Sequence, residues 1–262
     1  MNKNARNLVI AAVVAATLLV AVVVALLLNR TSDSTPSASD SATNSATATP
    51  SAEASGDPTA SGTPNPEPSA PSQQLKELVQ GLWRLDPDDP MAVGDVDADV
   101  VVQIYYDFRC GYCAQAATQT EPQMQHYVDD GTVRIEYHNL AILGDESVLL
   151  AQGSVAAANQ GKFLEYHSYI YDHQVAGNPV EATEDALVAV AKEIGVADLD
   201  QFRTDMTSEA AVAAVADGRT TAQNLGITGT PAFIVGYSYL PGFVPIETMD
   251  QVIAAELARP AA

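Results

Sequence analysis

Cysteine is nearly absent from this 262-residue chain: there are two, Cys110 and Cys113, three positions apart. A secreted disulfide scaffold needs many spread cysteines to close long loops, so that class is excluded. Basic residues are also scarce, with 12 Lys and Arg against 33 Asp and Glu and a formal charge of −21. Phosphates would be repelled, which argues against a nucleic-acid or anionic-lipid surface as partner. With one Trp and five Phe, aromatic weight falls mainly on ten Tyr. Residues 31–72 hold five acids, no base and almost nothing but Ser, Thr, Ala, Pro, Gly and Asn. Such a stretch cannot bury enough apolar surface to offset its ordering entropy, and is expected to be a disordered linker.

What is present begins with Leu8 to Leu28, 21 residues without a charge. At about 1.5 Å per residue they match a bilayer core of roughly 30 Å. Lys3 and Arg6 precede this run, so residues 1–7 are expected in the cytoplasm and the rest outside. A cleaved signal peptide is the competing reading. The run is long for one, and Leu26-Leu27-Leu28-Asn29-Arg30 offers no small-residue cleavage site. The reading adopted is a single-pass signal anchor at 8–28, a tether at 31–72 and an extracytoplasmic domain at 73–262.

Within that domain Asp99 to Tyr106 is apolar on both parities, as in a strand buried on both faces. A helix is expected from Cys110 through Asp129, kinked at Pro122 and closed by Gly131. Val133, Ile135 and Tyr137 alternate with Arg134, Glu136 and His138, which predicts a half-buried strand. Residues from Glu146 to about Leu225 read as helical, with stops at Gly161, Gly195 and Gly226. A strand at 231–235, a further strand after the 236–242 turn and a helix over 246–258 close the chain. The order β-α-β, helical block, β-β-α predicts an α/β fold with a helical insertion at about 145–225. Trp83, Tyr105, Tyr106, Tyr166, Tyr169 and Tyr171 are expected to pack, and His126 and His138 to be solvated or capping.

Cysteines at i and i+3, where a strand hands over to a helix, suit thiol chemistry. Unpaired N–H groups at the helix start favour a thiolate at Cys110, and Arg109 beside it is expected to act in the same direction. Cys113, one turn deeper, is placed to resolve a mixed disulfide formed at Cys110. The pair works without metal or organic cofactor. As a structural disulfide it would close a tiny loop and remove little entropy. Zinc would need more ligands, and His167 and His173 stand six apart, not four. Copper delivery would call for a partnering histidine and a wider spacing. Tyr112, between the cysteines, is expected to be exposed and to contact substrate. Gly229-Thr230-Pro231 opens the later strand, where an X–Pro bond is able to be cis.

Three stretches together carry a resemblance: DPDDPMAVGDVDADVVVQIYYDFRCGYC (86–113), NLAILGDESVLLAQGSVAAANQGKFLEYHSYIY (139–171) and NLGITGTPAFIVG (224–236). The chain from Leu75 to Leu257 resembles the DsbA-like branch of the thioredoxin superfamily. The resemblance implies a thioredoxin fold carrying a helical insertion. It implies Cys110 as nucleophile, Cys113 as resolving cysteine and Thr230-Pro231 as the cis-proline pair lining substrate backbone. It also implies exported protein substrates and reoxidation by a quinone-linked membrane partner. This chain has Ile104 where the family often has a buried Glu, and Gly-Tyr where strongly oxidising members have Pro-His. Ile104 removes a candidate proton acceptor for Cys113, and Gly-Tyr in place of Pro-His predicts a less acidic Cys110 and a lower potential. Gly-Tyr with Thr before the proline is similar to disulfide isomerases, so a reductase or isomerase is the alternative activity. A tethered non-catalytic binding module is a further one.

Overall fold

The computed structural model describes residues 71–260. The expected membrane segment 8–28 and all but the last two residues of the expected linker lie outside these. Among the described residues no helix is long and apolar enough to cross a membrane.

A five-stranded sheet organises the domain, in the order β1-β3-β2-β4-β5. β1 is Ala92–Val93, β2 Val100–Tyr106, β3 Val133–Asn139, β4 Ala232–Val235 and β5 Ser238–Pro241. β2 and β3 run parallel, from Val100 against Val133 to Tyr106 against Asn139, and the other pairs are antiparallel. On β2, Val100, Val102, Ile104 and Tyr106 enter the main core, while Tyr105 enters a second cluster on the opposite face. β4 divides likewise, with Phe233 and Val235 on one side and Ala232 and Ile234 on the other. Both faces are therefore covered, which is why these strands are apolar on both parities.

α1 (Gln73–Gln80) starts on a Ser72 cap whose Oγ accepts the Leu75 N–H. After β2 comes α2 (Gly111–Gln115), then a π-helical turn at Ala116–Thr120, then α3 (Glu121–Asp129). The sequence predicts one helix kinked at Pro122. Proline has no N–H and its ring crowds the preceding turn, so the ladder widens to a π turn just before it. Pro122 then sits in the first turn of α3, where no donor is needed. Between β3 and β4 lie five helices: α4 (Asp145–Ala158), α5 (Phe163–Val175), α6 (Glu184–Glu193), α7 (Leu199–Met206) and α8 (Glu209–Asn224). α9 (Ile246–Leu257) ends the domain and packs on β2, β4 and the π turn.

β3 departs from expectation. Its alternation predicts one wet face, yet Arg134 and Glu136 are buried, Glu136 completely. The segment 81–94 straps over them. The Glu136 carboxylate accepts the Arg84 N–H at 2.9 and 3.0 Å and pairs with Arg134 Nε at 3.3 Å. Arg134 also donates to the carbonyls of Gly94, Arg84 and Asp86. Buried charges are tolerable because nearly every donor and acceptor has a partner. His138, expected to be solvated, instead stacks on Tyr105 at 4.7 Å, and burial lowers its pKa. His126 does stay on the surface, with Nδ1 2.7 Å from the Gln123 carbonyl.

Candidate active site

Cys110 stands at the junction of β2 and α2. It is the N-cap of α2, with extended backbone and its carbonyl already accepting the Ala114 N–H. The turn before it is built by Asp107. Its Oδ1 accepts the Arg109 N–H at 2.8 Å, an Asx turn that bends the chain out of the strand. The Asp107 carbonyl accepts the Cys110 N–H at 3.0 Å and the Tyr171 hydroxyl at 3.1 Å. Its carboxylate further accepts Ile142 N–H, Leu143 N–H and the Ser147 hydroxyl, at 2.8, 3.0 and 2.7 Å. One buried carboxylate thus ties the reactive turn to the loop after β3 and to α4. An Asp at a strand end, two residues before a backbone turn, is the sequence signal that marks it.

The two thiols differ in setting. Cys110 is 9% exposed and Cys113 1%, and both are free. Cys110 Sγ lies 3.2 Å from the carbonyl oxygen of Thr230. The Thr230–Pro231 peptide, just before β4, is cis. The Cys110 pKa is down to about 6, chiefly through the hydrogen bond from Cys113, opposed by burial and helped by the Thr230 side chain and the backbone N–H groups of Cys113 and Tyr112. Burial, and then the proximity of Cys110, push the Cys113 thiol well above the ordinary range. One thiol is acidic and less deeply buried and its neighbour is a shielded thiol, the asymmetry that two-step disulfide exchange uses.

Tyr112 is 63% exposed beside this pair. Arg109 has a different position from the one expected. Its Nε lies 2.8 Å from the Glu146 carboxylate and its Nη2 donates to the Val180 carbonyl at 2.8 Å. Its charge is met by Glu146, and its guanidinium braces the α5–α6 connection against α4. The residue of β2 at the expected family Glu position, Ile104, is fully buried in the core.

Sequence reasoning missed a second buried acid. Glu121 and His167 face each other at 3.7 Å in a wall of Tyr106, Phe108, Tyr137, Phe163 and Tyr171. Burial raises the Glu121 carboxyl to about 8 and lowers the His167 imidazole to about 3. Nothing local in the sequence marks either, because they are 46 positions apart and meet only because α2 and the π turn that precedes Glu121 pack on α5. Among the described residues no three of His, Cys, Asp and Glu converge as metal ligands would.

A family profile described as thioredoxin matches residues 86–255, more than half of the chain. A thioredoxin-like oxidoreductase from Silicibacter pomeroyi has a solved structure that superposes with a TM-score of 0.56 and 30% identity, over 73% of this chain and all of that one. A probable disulfide bond formation protein D from Bacillus cereus is 29% identical over 64% of this chain and 79% of its own length. A sodium/proton antiporter, NhaA 3 of Salinispora tropica, is 29% identical over 72% of this chain. The chain spans under a third of that antiporter's length. This chain belongs to the thioredoxin family.

Proposed function

We propose that this thiol–disulfide oxidoreductase forms disulfides in exported proteins, from a domain tethered outside the cell membrane. The observation that carries the reading is the unequal pair, an ionised Cys110 at about 6 in front of Thr230–Pro231 and a shielded, protonated Cys113 behind it. In the oxidised protein a substrate thiolate attacks Cys110 Sγ, the Cys110–Cys113 bond breaks, and Cys113 leaves and takes up a proton. A second substrate thiolate then attacks the substrate sulfur of the mixed disulfide. Cys110 leaves as a stable thiolate, and the substrate has lost two electrons and two protons. A membrane partner linked to the quinone pool would accept the two electrons from the reduced pair. The apolar run at 8–28 and the likeness to a probable disulfide bond formation protein support the exported setting.

The reverse or reshuffling reaction has one specific observation in its favour. A Cys110 pKa of about 6 lies between the roughly 7 of thioredoxin and the roughly 3.5 of DsbA. The reduction potential separates the two. A value near about −120 mV fits an oxidase, whereas one near about −270 mV assigns the protein to reduction and overturns the proposal. Trapping with Cys113→Ala in cells is the companion measurement. Mixed disulfides with newly exported chains are expected, and their absence would favour a tethered binding module without exchange activity.

A further inference from the structure

An open cleft of about 620 Å³ borders the reactive turn, lined by Arg109 and Gly111, the chain neighbours of Cys110. Its floor begins at Gly111, the residue after the nucleophile, and its far wall is the α5–α6 connection from Pro179 to Thr183. A Cβ built on Gly111 would meet nothing within 4 Å. The glycine is thus not required by the domain's own packing, and the space beside it on the cleft side of the turn is open. The wall is fixed in place rather than loose. Arg109 holds it through the Val180 carbonyl and is itself held by Glu146.

The charge of this cleft is one-sided. Arg109 is the single base among the described residues lining it, and its guanidinium is engaged by Glu146 and Val180. The Glu146 side chain is 68% exposed, so its carboxylate keeps an open edge toward solvent. Glu181 is exposed in the opposite wall and pairs with no base among the described residues. A ligand entering here meets two carboxylates and no available cation.

We infer that this cleft receives the substrate chain on one flank of its reactive cysteine and favours basic side chains there, with Glu181 as the selecting residue and Glu146 supporting it. The inference rests on the exchange reaction proposed above and names the class of substrate that reaction prefers: unfolded segments with Lys or Arg close to a cysteine. Because Arg109 and Gly111, the neighbours of Cys110, line the cleft, a segment bound there lies beside the nucleophile.

The test uses the full chain in detergent, oxidised beforehand and mixed with peptides that carry two cysteines and differ only in the two residues flanking one of them. Lys-Lys, Ser-Ser and Glu-Glu are compared, placed on either side, and the rate of reduction of the protein disulfide is followed. On one flank Lys-Lys is expected to react about three- to tenfold faster than Glu-Glu at low salt, as exposed charge pairs allow, and the ratio to approach one near 1 M salt. Glu181→Lys should abolish or reverse that ratio. Equal rates for the three peptides overturn the inference. So does a preference that survives Glu181→Lys, since it would come from the overall charge of −21 and not from the cleft. If Ser-Ser also fails to reduce the disulfide, the exchange reading itself falls, and this inference with it.

Discussion

Cys110 Sγ donates to the carbonyl oxygen of Thr230 at 3.2 Å, across 120 residues of chain. That contact joins the strand that delivers the nucleophile to the strand that follows the helical insertion. It seats the protonated sulfur against the Thr230 backbone rather than in solvent, and ionisation of Cys110 gives that hydrogen bond up.

The acidity of Cys110 depends first on Cys113 and then on Thr230. Thiolate absorbance or the pH dependence of alkylation should give a pKa near 6. Cys113→Ala removes the largest favourable contribution and should raise it, with Thr230→Val raising it less. An unchanged pKa in Cys113→Ala would mean that the backbone N–H groups alone hold the thiolate.

Asp107 satisfies four donors from a buried position. Asp107→Ala leaves two backbone N–H groups of the loop after β3, that of Arg109 and the Ser147 hydroxyl without this acceptor. A loss of at least about 3 kcal/mol is expected, or roughly 6–12 °C in Tm for a domain of this size. Urea and thermal melts check it. A loss under about 1 kcal/mol would mean that water replaces the carboxylate.

The Glu121–His167 pair shapes stability against pH. Glu121 rises from its ordinary 4.5 to about 8 on folding, so its stabilising share is complete below 4.5 and is lost as pH climbs toward 8. His167 falls from 6.5 to about 3, so its share is complete above 6.5 and is lost as pH drops toward 3. The two slopes oppose each other between about 4.5 and 6.5, giving a plateau there with declines on both sides. Glu121→Gln should flatten the decline from pH 6.5 to 8 and leave the acid side in place. Melts across pH 3 to 9 measure both limbs, and an alkaline limb that persists in Glu121→Gln contradicts this assignment.

Gly218 lets α8 lie against β3. A Cβ there would approach the Asn139 carbonyl oxygen to 2.4 Å, so backbone has to move. Gly218→Ala should cost about 1–3 kcal/mol despite the better helix propensity of alanine. A neutral or stabilising result in denaturant melts would show that α8 shifts freely.

The sequence by itself determined the strand–helix handover at Cys110, the strand after Pro231 and the helical block between them. Each depends on local rules: hydrophobic period, turn residues and caps act over a few positions. The π turn before Pro122 was half visible, because the missing N–H fixes where the ladder must give but not how. Tertiary structure alone decided the rest. Arg134 and Glu136 alternate with apolar residues as a wet strand would, and only the strap at 81–94 reveals that they are buried. Arg109 looks in sequence like a neighbour of the thiolate, yet Glu146 and Val180 claim its guanidinium. Glu121 meets His167, and Cys110 meets Thr230, through packing between segments far apart in the chain. Burial and charge partners are properties of the assembled layers, so no local pattern carries them.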